Sequence, residues 1–367
     1  MPICCTSTAT RTPPAIHTLT KTCPLLPPHS LILAGAALAS GLLCAGLIRL
    51  LMPALLRYAL ARPNARSSHR APTPQGGGIA VVAACLVVAL ACSELGLLAL
   101  SGAERVELRL IALAALALAL VGAVDDIRPL PVGPRLALQT LCVAAAIMAA
   151  PGELRLFGDE VLPLALERLL AVAAGVWFVN LTNFMDGIDL ITVADTVPPA
   201  AAIAAFAAFG LAPAPAGLVA AALGGAMLGF APRNRPVARL FLGDVGSLSI
   251  GLLLAWCLYR LAGAGGLVAA IILVLYPVAD ATITLLRRMA RGDRVWEPHR
   301  SHYYQRATTN GWSVARVSGA AFALNILLAV VALGALLFDT PADRLLGLLE
   351  AAFFVWGILF LFQRRRP

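Results

Sequence analysis

In this chain of 367 residues, 60% are hydrophobic and only 13% are charged, about half the charged share usual in globular chains. The mean hydropathy of +0.86 excludes a water-soluble fold. The net charge of +9 is unevenly placed and reads as membrane orientation, not as a nucleic-acid surface.

Residues 1–29 lack a charged n-region followed at once by an apolar core, so they read as a disordered extension and not as a signal peptide. Beyond them, apolar stretches predict membrane segments near 30–56, 78–100, 108–124, 135–150, 167–183, 195–211, 214–231, 247–264, 266–286, 314–337 and 345–362. Ala, Leu, Val and Gly dominate without two-residue alternation. That favours helices over a barrel, because a helix satisfies its own backbone in lipid. The expected fold is all-α, a polytopic transmembrane bundle of about 11 helices. Residues 30–362 form the membrane domain and 363–367 a basic tail. Arginines crowd segments 57–77, 125–134, 184–194, 232–246, 287–313 and the tail. This bias sets those segments inside, with the N-terminus out and the C-terminus in. The eight cysteines include no C-x-x-C pair, so neither a zinc knuckle nor a disulfide framework is suggested.

The unusual polar residues all fall in the inside segments. "SSHRAPTPQGGGIA" (67–80) places His69 and Arg70 before Gly76, Gly77 and Gly78, which open a helix and could cradle a phosphate. "VDDIRPLPVGPR" (124–135) ends an apolar helix on Asp125 and Asp126. Two adjacent carboxylates at the negative end of a helix dipole call for a nearby cation, or else for full solvation. "NLTNFMDGIDL" (180–190) repeats Asn180, Asn183, Asp186 and Asp189 at three-residue steps. On an unbroken helix Asn180 and Asp189 would face opposite ways, so the helix is expected to end near Gly187.

"RLFLGDVGSLSIG" (239–251) sets Asp244 between two glycines, either as a metal ligand or as a turn capping the next helix. "EPHRSHYYQRA" (297–307) carries His299, Arg300 and His302, suited to a nucleotide diphosphate or to anionic lipid headgroups. Zinc would lack a third and fourth ligand there. Asp280 lies inside an apolar helix, where an acid is either functional or paired with a buried donor.

These five segments, in this order, resemble the polyprenyl-phosphate N-acetylhexosamine-1-phosphate transferases, the superfamily that includes phospho-MurNAc-pentapeptide translocase. The resemblance covers about residues 35–335 and is nearest to the branch initiating O-antigen or similar surface glycans. The last segment keeps only His299 and His302 where the translocase branch has three histidines. The first has His69-Arg70 in place of a lysine.

The resemblance implies transfer of a sugar 1-phosphate from a UDP-N-acetylhexosamine to undecaprenyl phosphate in the bacterial inner membrane, by an enzyme that can form homodimers. It implies Mg²⁺ (or Mn²⁺) on Asp244 and Asp126, and catalytic roles for Asp125, Asp126 and Asp186. The nucleotide sugar falls to Asn180, Asn183, Asp189, His299, Arg300 and His302, and the lipid phosphate to His69, Arg70 and Gly77. The alternatives are the peptidoglycan translocase itself or a cation- or proton-coupled transporter. The transporter reading conflicts with acids gathered at one face instead of the midplane.

Overall fold

A computed structural model describes residues 29–61, 72–157, 161–294, 299–338 and 340–365. His69, Arg70 and the extension up to residue 28 lie outside the described residues. The fold is all-α apart from one two-stranded ribbon, β1 (Leu60–Ala61) with β2 (Thr73–Pro74), which pair antiparallel. Its helices are α1 (Ser30–Tyr58), α2 (Gly77–Glu94), α3 (Gly102–Ile127), α4 (Val132–Ala149), α5 (Leu164–Met185), α6 (Ile191–Ala208) and α7 (Ala214–Asn234). They continue with α8 (Asp244–Leu261), α9 (Leu267–Leu273), α10 (Leu275–Ala290), α11 (Tyr303–Thr309), α12 (Val314–Leu337) and α13 (Pro341–Gln363). Ten helical stretches among the described residues are long and apolar enough to cross a membrane. The protein is a multi-pass membrane protein.

The segment expected at 266–286 is divided. Val274 leaves helical geometry (φ −122°, ψ 14°) between α9 and α10. Pro277 lacks the N–H that would bond the carbonyl of Leu273, which favours a break at this point. Upstream, α8 turns into α9 at Ala264 and Gly265, where Gly265 takes φ +90°.

α6, α7 and α8 form the buried centre. α1 lies along α7, α3 and α5 flank α8, and α12 covers α6 and α9. Small residues allow these approaches, as is usual where lipid removes the hydrophobic drive between helices. A Cβ on Gly225 of α7 would stand 2.0 Å from the Ala37 carbonyl of α1. At the end of α8 away from Asp244, buried Glu107 of α3 pairs with Arg260 and accepts from Trp256 Nε1 at 3.0 Å. The ion pair therefore ties α3 to α8 far from their other junction.

Candidate functional site

Three chain segments meet where α2, α3 and α8 end together. Gly76 and Gly77 donate their amides to the Phe241 carbonyl at 3.2 and 2.9 Å, and Gly78 donates to the Leu242 carbonyl at 2.8 Å. These amides thus already have backbone acceptors. The glycines also serve close packing. A Cβ on Gly78 would lie 2.2 Å from Gly246 Cα, and one on Gly122 would lie 2.4 Å from the Asp244 carbonyl.

Asp126 completes the junction. Its Oδ1 accepts from the Asp244 amide at 2.9 Å and its Oδ2 from the Val245 amide at 3.2 Å, while Gln75 donates a further bond. A carboxylate from α3 therefore caps the positive N-terminus of α8. Each such charge-assisted bond contributes about 1.5–3 kcal/mol.

Asp125 points elsewhere. It accepts from the Leu130 amide at 2.6 Å and pairs with Arg135 of α4 at 2.7 Å. Asp125 and Asp244 are near enough to act on each other electrostatically. Neighbouring carboxyls repel when both are charged, and a proton or a cation beside them relieves that cost. Asn183 donates to Asp244 Oδ1 at 2.8 Å and to Ser247 Oγ at 2.9 Å, which aims the Asp244 carboxyl.

Among the described residues no three His, Cys, Asp or Glu side chains converge as a self-sufficient metal cage. An oxygen-only pair such as Asp244 with Asp125 suits a hard cation that keeps waters and is completed by phosphate oxygens. The residues present fit Mg²⁺ in that sense.

α5 ends at Met185, two residues before Gly187, as the spacing required. The four polar residues of 180–189 then part company. Asn180 donates to Gln139 of α4 at 2.8 Å, below the site. Asp186 accepts from Thr192 Oγ1, and burial pushes its carboxyl up to about 6 despite that bond. Asp189 is buried and accepts from the Ala238 amide at 3.0 Å, tying the α5–α6 loop to segment 235–240. Of the four, Asn183 is the one seen to hydrogen-bond a site carboxylate, that of Asp244.

The last loop is pinned by Asp280, whose two oxygens accept from the Tyr303 and Tyr304 amides at 2.9 and 3.1 Å. This second carboxylate cap repeats the device of Asp126, here at the start of α11. His302 is buried against Asp280 Oδ1 at 3.3 Å and stacks on Phe184 and Tyr304. His299 lies 4.9 Å from His302, centre to centre, and Arg300 is exposed. Tyr304 Oη donates to the Phe184 carbonyl at 2.9 Å, which fastens the loop to the end of α5.

An almost wholly apolar cavity of about 270 Å³ lies between the helices. Val143, Phe178, Leu181, Leu252 and Val278 line it, bringing α4, α5, α8 and α10 together. Leu252 lies eight residues along α8 from Asp244, about 12 Å at the helical rise.

Residues 108–262 match glycosyl transferase family 4. A decaprenyl-phosphate N-acetylglucosaminephosphotransferase of Mycobacterium tuberculosis is 29% identical over 80% of this chain and 79% of its own length. A counterpart with the same description in Mycolicibacterium smegmatis is 28% identical over 76% of this chain and 74% of its own length. A phospho-N-acetylmuramoyl-pentapeptide-transferase of Synechococcus sp. is 33% identical over 76% of this chain and 85% of its own length. The chain belongs to glycosyl transferase family 4. Its match with the family runs from α3 to the end of α8, and so contains Asp125, Asp126, Asn183, Asp186 and Asp244 together.

Several residues of this family 4 protein escaped the motif reading. Gln75 and Arg135 bond site carboxylates from inside the quoted polar segments without having been singled out, and Thr192 does so from just beyond one of them. Glu107 and Asp195 are buried acids inside apolar helices, which is a readable signal of its own.

Proposed function

We propose that the protein transfers N-acetylhexosamine 1-phosphate from a UDP-sugar to undecaprenyl phosphate, giving lipid-diphospho-sugar and UMP, as the first step of O-antigen or related surface-glycan synthesis. The observation that carries this reading is the gathering of Asp125, Asp126 and Asp244 where α3 ends and α8 begins, with an apolar cavity farther along α8. A polar phosphate and a long hydrocarbon tail on one substrate need both environments. The decaprenyl-phosphate acceptors of the mycobacterial relatives support a polyprenyl phosphate acceptor.

In the reaction an oxygen of the lipid phosphate attacks the β-phosphorus of the UDP-sugar. The bond from that phosphorus to the bridging oxygen breaks, and UMP leaves with the oxygen. Bound Mg²⁺ (or Mn²⁺) supplies charge neutralisation on the diphosphate, and Asp244 with Asp125 would hold it. Asn183 orients Asp244, Arg135 balances Asp125, and Asp126 fixes the amides from which Asp244 projects. A phosphate monoester is already mostly ionised near neutral pH, so a base on it contributes little. His299 and Arg300 offer donors to the donor diphosphate, with His302 held behind them by Asp280. The arginine bias supports this face being cytoplasmic and the C-terminal tail being inside.

The test is incorporation of radiolabelled UDP-N-acetylhexosamines into undecaprenyl phosphate by purified protein, with and without Mg²⁺. Metal-dependent lipid product with release of UMP is expected. Its absence with every such sugar, together with turnover of UDP-MurNAc-pentapeptide, would assign the chain to the reaction named for the Synechococcus relative.

A further inference from the structure

Asp195 of α6 is buried, 8% exposed, and takes no part in the reaction surface above. Its Oδ1 accepts from Asn325 Nδ2 of α12 at 3.0 Å, whereas its Oδ2 has no hydrogen-bond partner in the protein. A buried carboxylate oxygen left in that condition costs about 1–3 kcal/mol or more. The same residue lines a small cavity of about 10 Å³ together with Thr182, Thr192 and Thr196. That volume is about what one water molecule requires. The rest of the wall is apolar, including Phe178, Leu254 and Pro277, so a polar guest is held from the Asp195 and threonine side alone.

We infer that this cavity is a binding site for one water molecule, which donates to Asp195 Oδ2 and Thr192 Oγ1, making Asp195 a positioning residue for Asp186. The hydrogens balance. The single hydroxyl hydrogen of Thr192 is committed to Asp186 Oδ1, leaving its lone pairs to accept. Water brings two hydrogens, one for Thr192 and one for Asp195, and accepts in turn from the Thr196 hydroxyl. Thr182 is already committed, donating to the Phe178 carbonyl at 2.8 Å. Asp195 thereby holds Thr192 in the rotamer that fixes Asp186 at the end of α5.

The consequence for turnover rests on the transferase reading, whereas the water site does not. A high-resolution structure of the full-length protein in nanodiscs is expected to show density within hydrogen-bonding reach of Asp195 Oδ2 and Thr192 Oγ1. Asp195→Leu is expected to remove it. A dry cavity in the unaltered protein overturns the inference whether or not the protein is active.

The second arm measures sugar-phosphate transfer by Asp195→Asn, Thr192→Val and the double variant, each checked by its melting temperature. Asp195→Asn is expected to lower kcat about tenfold at unchanged donor KM. That loss is expected to vanish on the Thr192→Val background, because both substitutions break one path. Additive losses, or a rise in KM alone, overturn the positioning role. Should Asp195→Asn not fold, Thr196→Val takes its place with the same expectations. Density present with no transfer by the unaltered protein leaves the water site standing and removes the transferase reading, together with the role of Asp195 in it.

Discussion

Asp244 and Asp126 stand at the same junction, yet their partners divide their work. Asp126 has both oxygens on backbone amides, whereas Asp244 faces Asp125 and the Asn183 amide group. Asp244→Asn is therefore expected to lower transfer at least about a hundredfold while membrane insertion and melting temperature stay unchanged, as measured by radiolabel incorporation beside thermal unfolding. Asp126→Ala is expected to fail in the opposite order, losing about 1–3 kcal/mol of stability as the α8 amides lose their acceptor, with activity falling as a consequence. Asp186 adds a pH test. Its carboxyl, raised to about 6 by burial, is protonated below that value and ionised above it. If its charged form serves the reaction, kcat rises with pH through about 6, and Asp186→Asn flattens that limb. A pH profile unchanged by the substitution removes Asp186 from the reaction.

At the scale of elements, the N-terminus of α8 is held by packing as much as by hydrogen bonds. Gly78 on α2 and Gly122 on α3 leave no room for a methyl group beside the backbone of α8. Gly78→Ala is expected to cost about 1–3 kcal/mol by overpacking and to displace Asp244. Thermal unfolding and transfer assays should fall together, unlike the Asp244→Asn pattern. The α9–α10 break at Val274 has a different consequence. It lets α10 carry Asp280 to the start of α11 and leaves Val274 and Val278 on the wall of the apolar cavity. Gly187 and Pro277 announce where α5 stops and α10 starts. The partners of Asp126 do not announce themselves, because Asp126 and Val245 are 119 residues apart in the chain.

Across the whole molecule, α8 carries Asp244 at its start and lines the apolar cavity from Leu252 onward. Filling the cavity with Ala255→Phe is expected to raise KM for undecaprenyl phosphate about tenfold. KM for the UDP-sugar should hold, as read from acceptor and donor titrations. A short-chain prenyl phosphate should feel the substitution less. The Glu107–Arg260 pair belongs to this scale too. It closes the far end of the α3–α8 contact whose near end is the Asp126 cap.

Composition, hydropathy and arginine bias were sufficient to read a helical membrane bundle from the chain alone, because lipid forbids unsatisfied backbone and leaves long apolar runs few alternatives. The five polar segments were legible for the same reason, since acids are too costly in such a chain to be scattered freely. Their individual roles were not legible. Only the tertiary structure showed the Gly77 amide bonded to the Phe241 carbonyl and the glycine packed against Phe230. It likewise separated Asn183 from Asn180, Asp186 and Asp189, and made Asp126 a helix cap beside the Asp125–Asp244 pair. Hydrogen-bond partners are set by distance in space, and sequence spacing specifies that distance only within a single helix or turn.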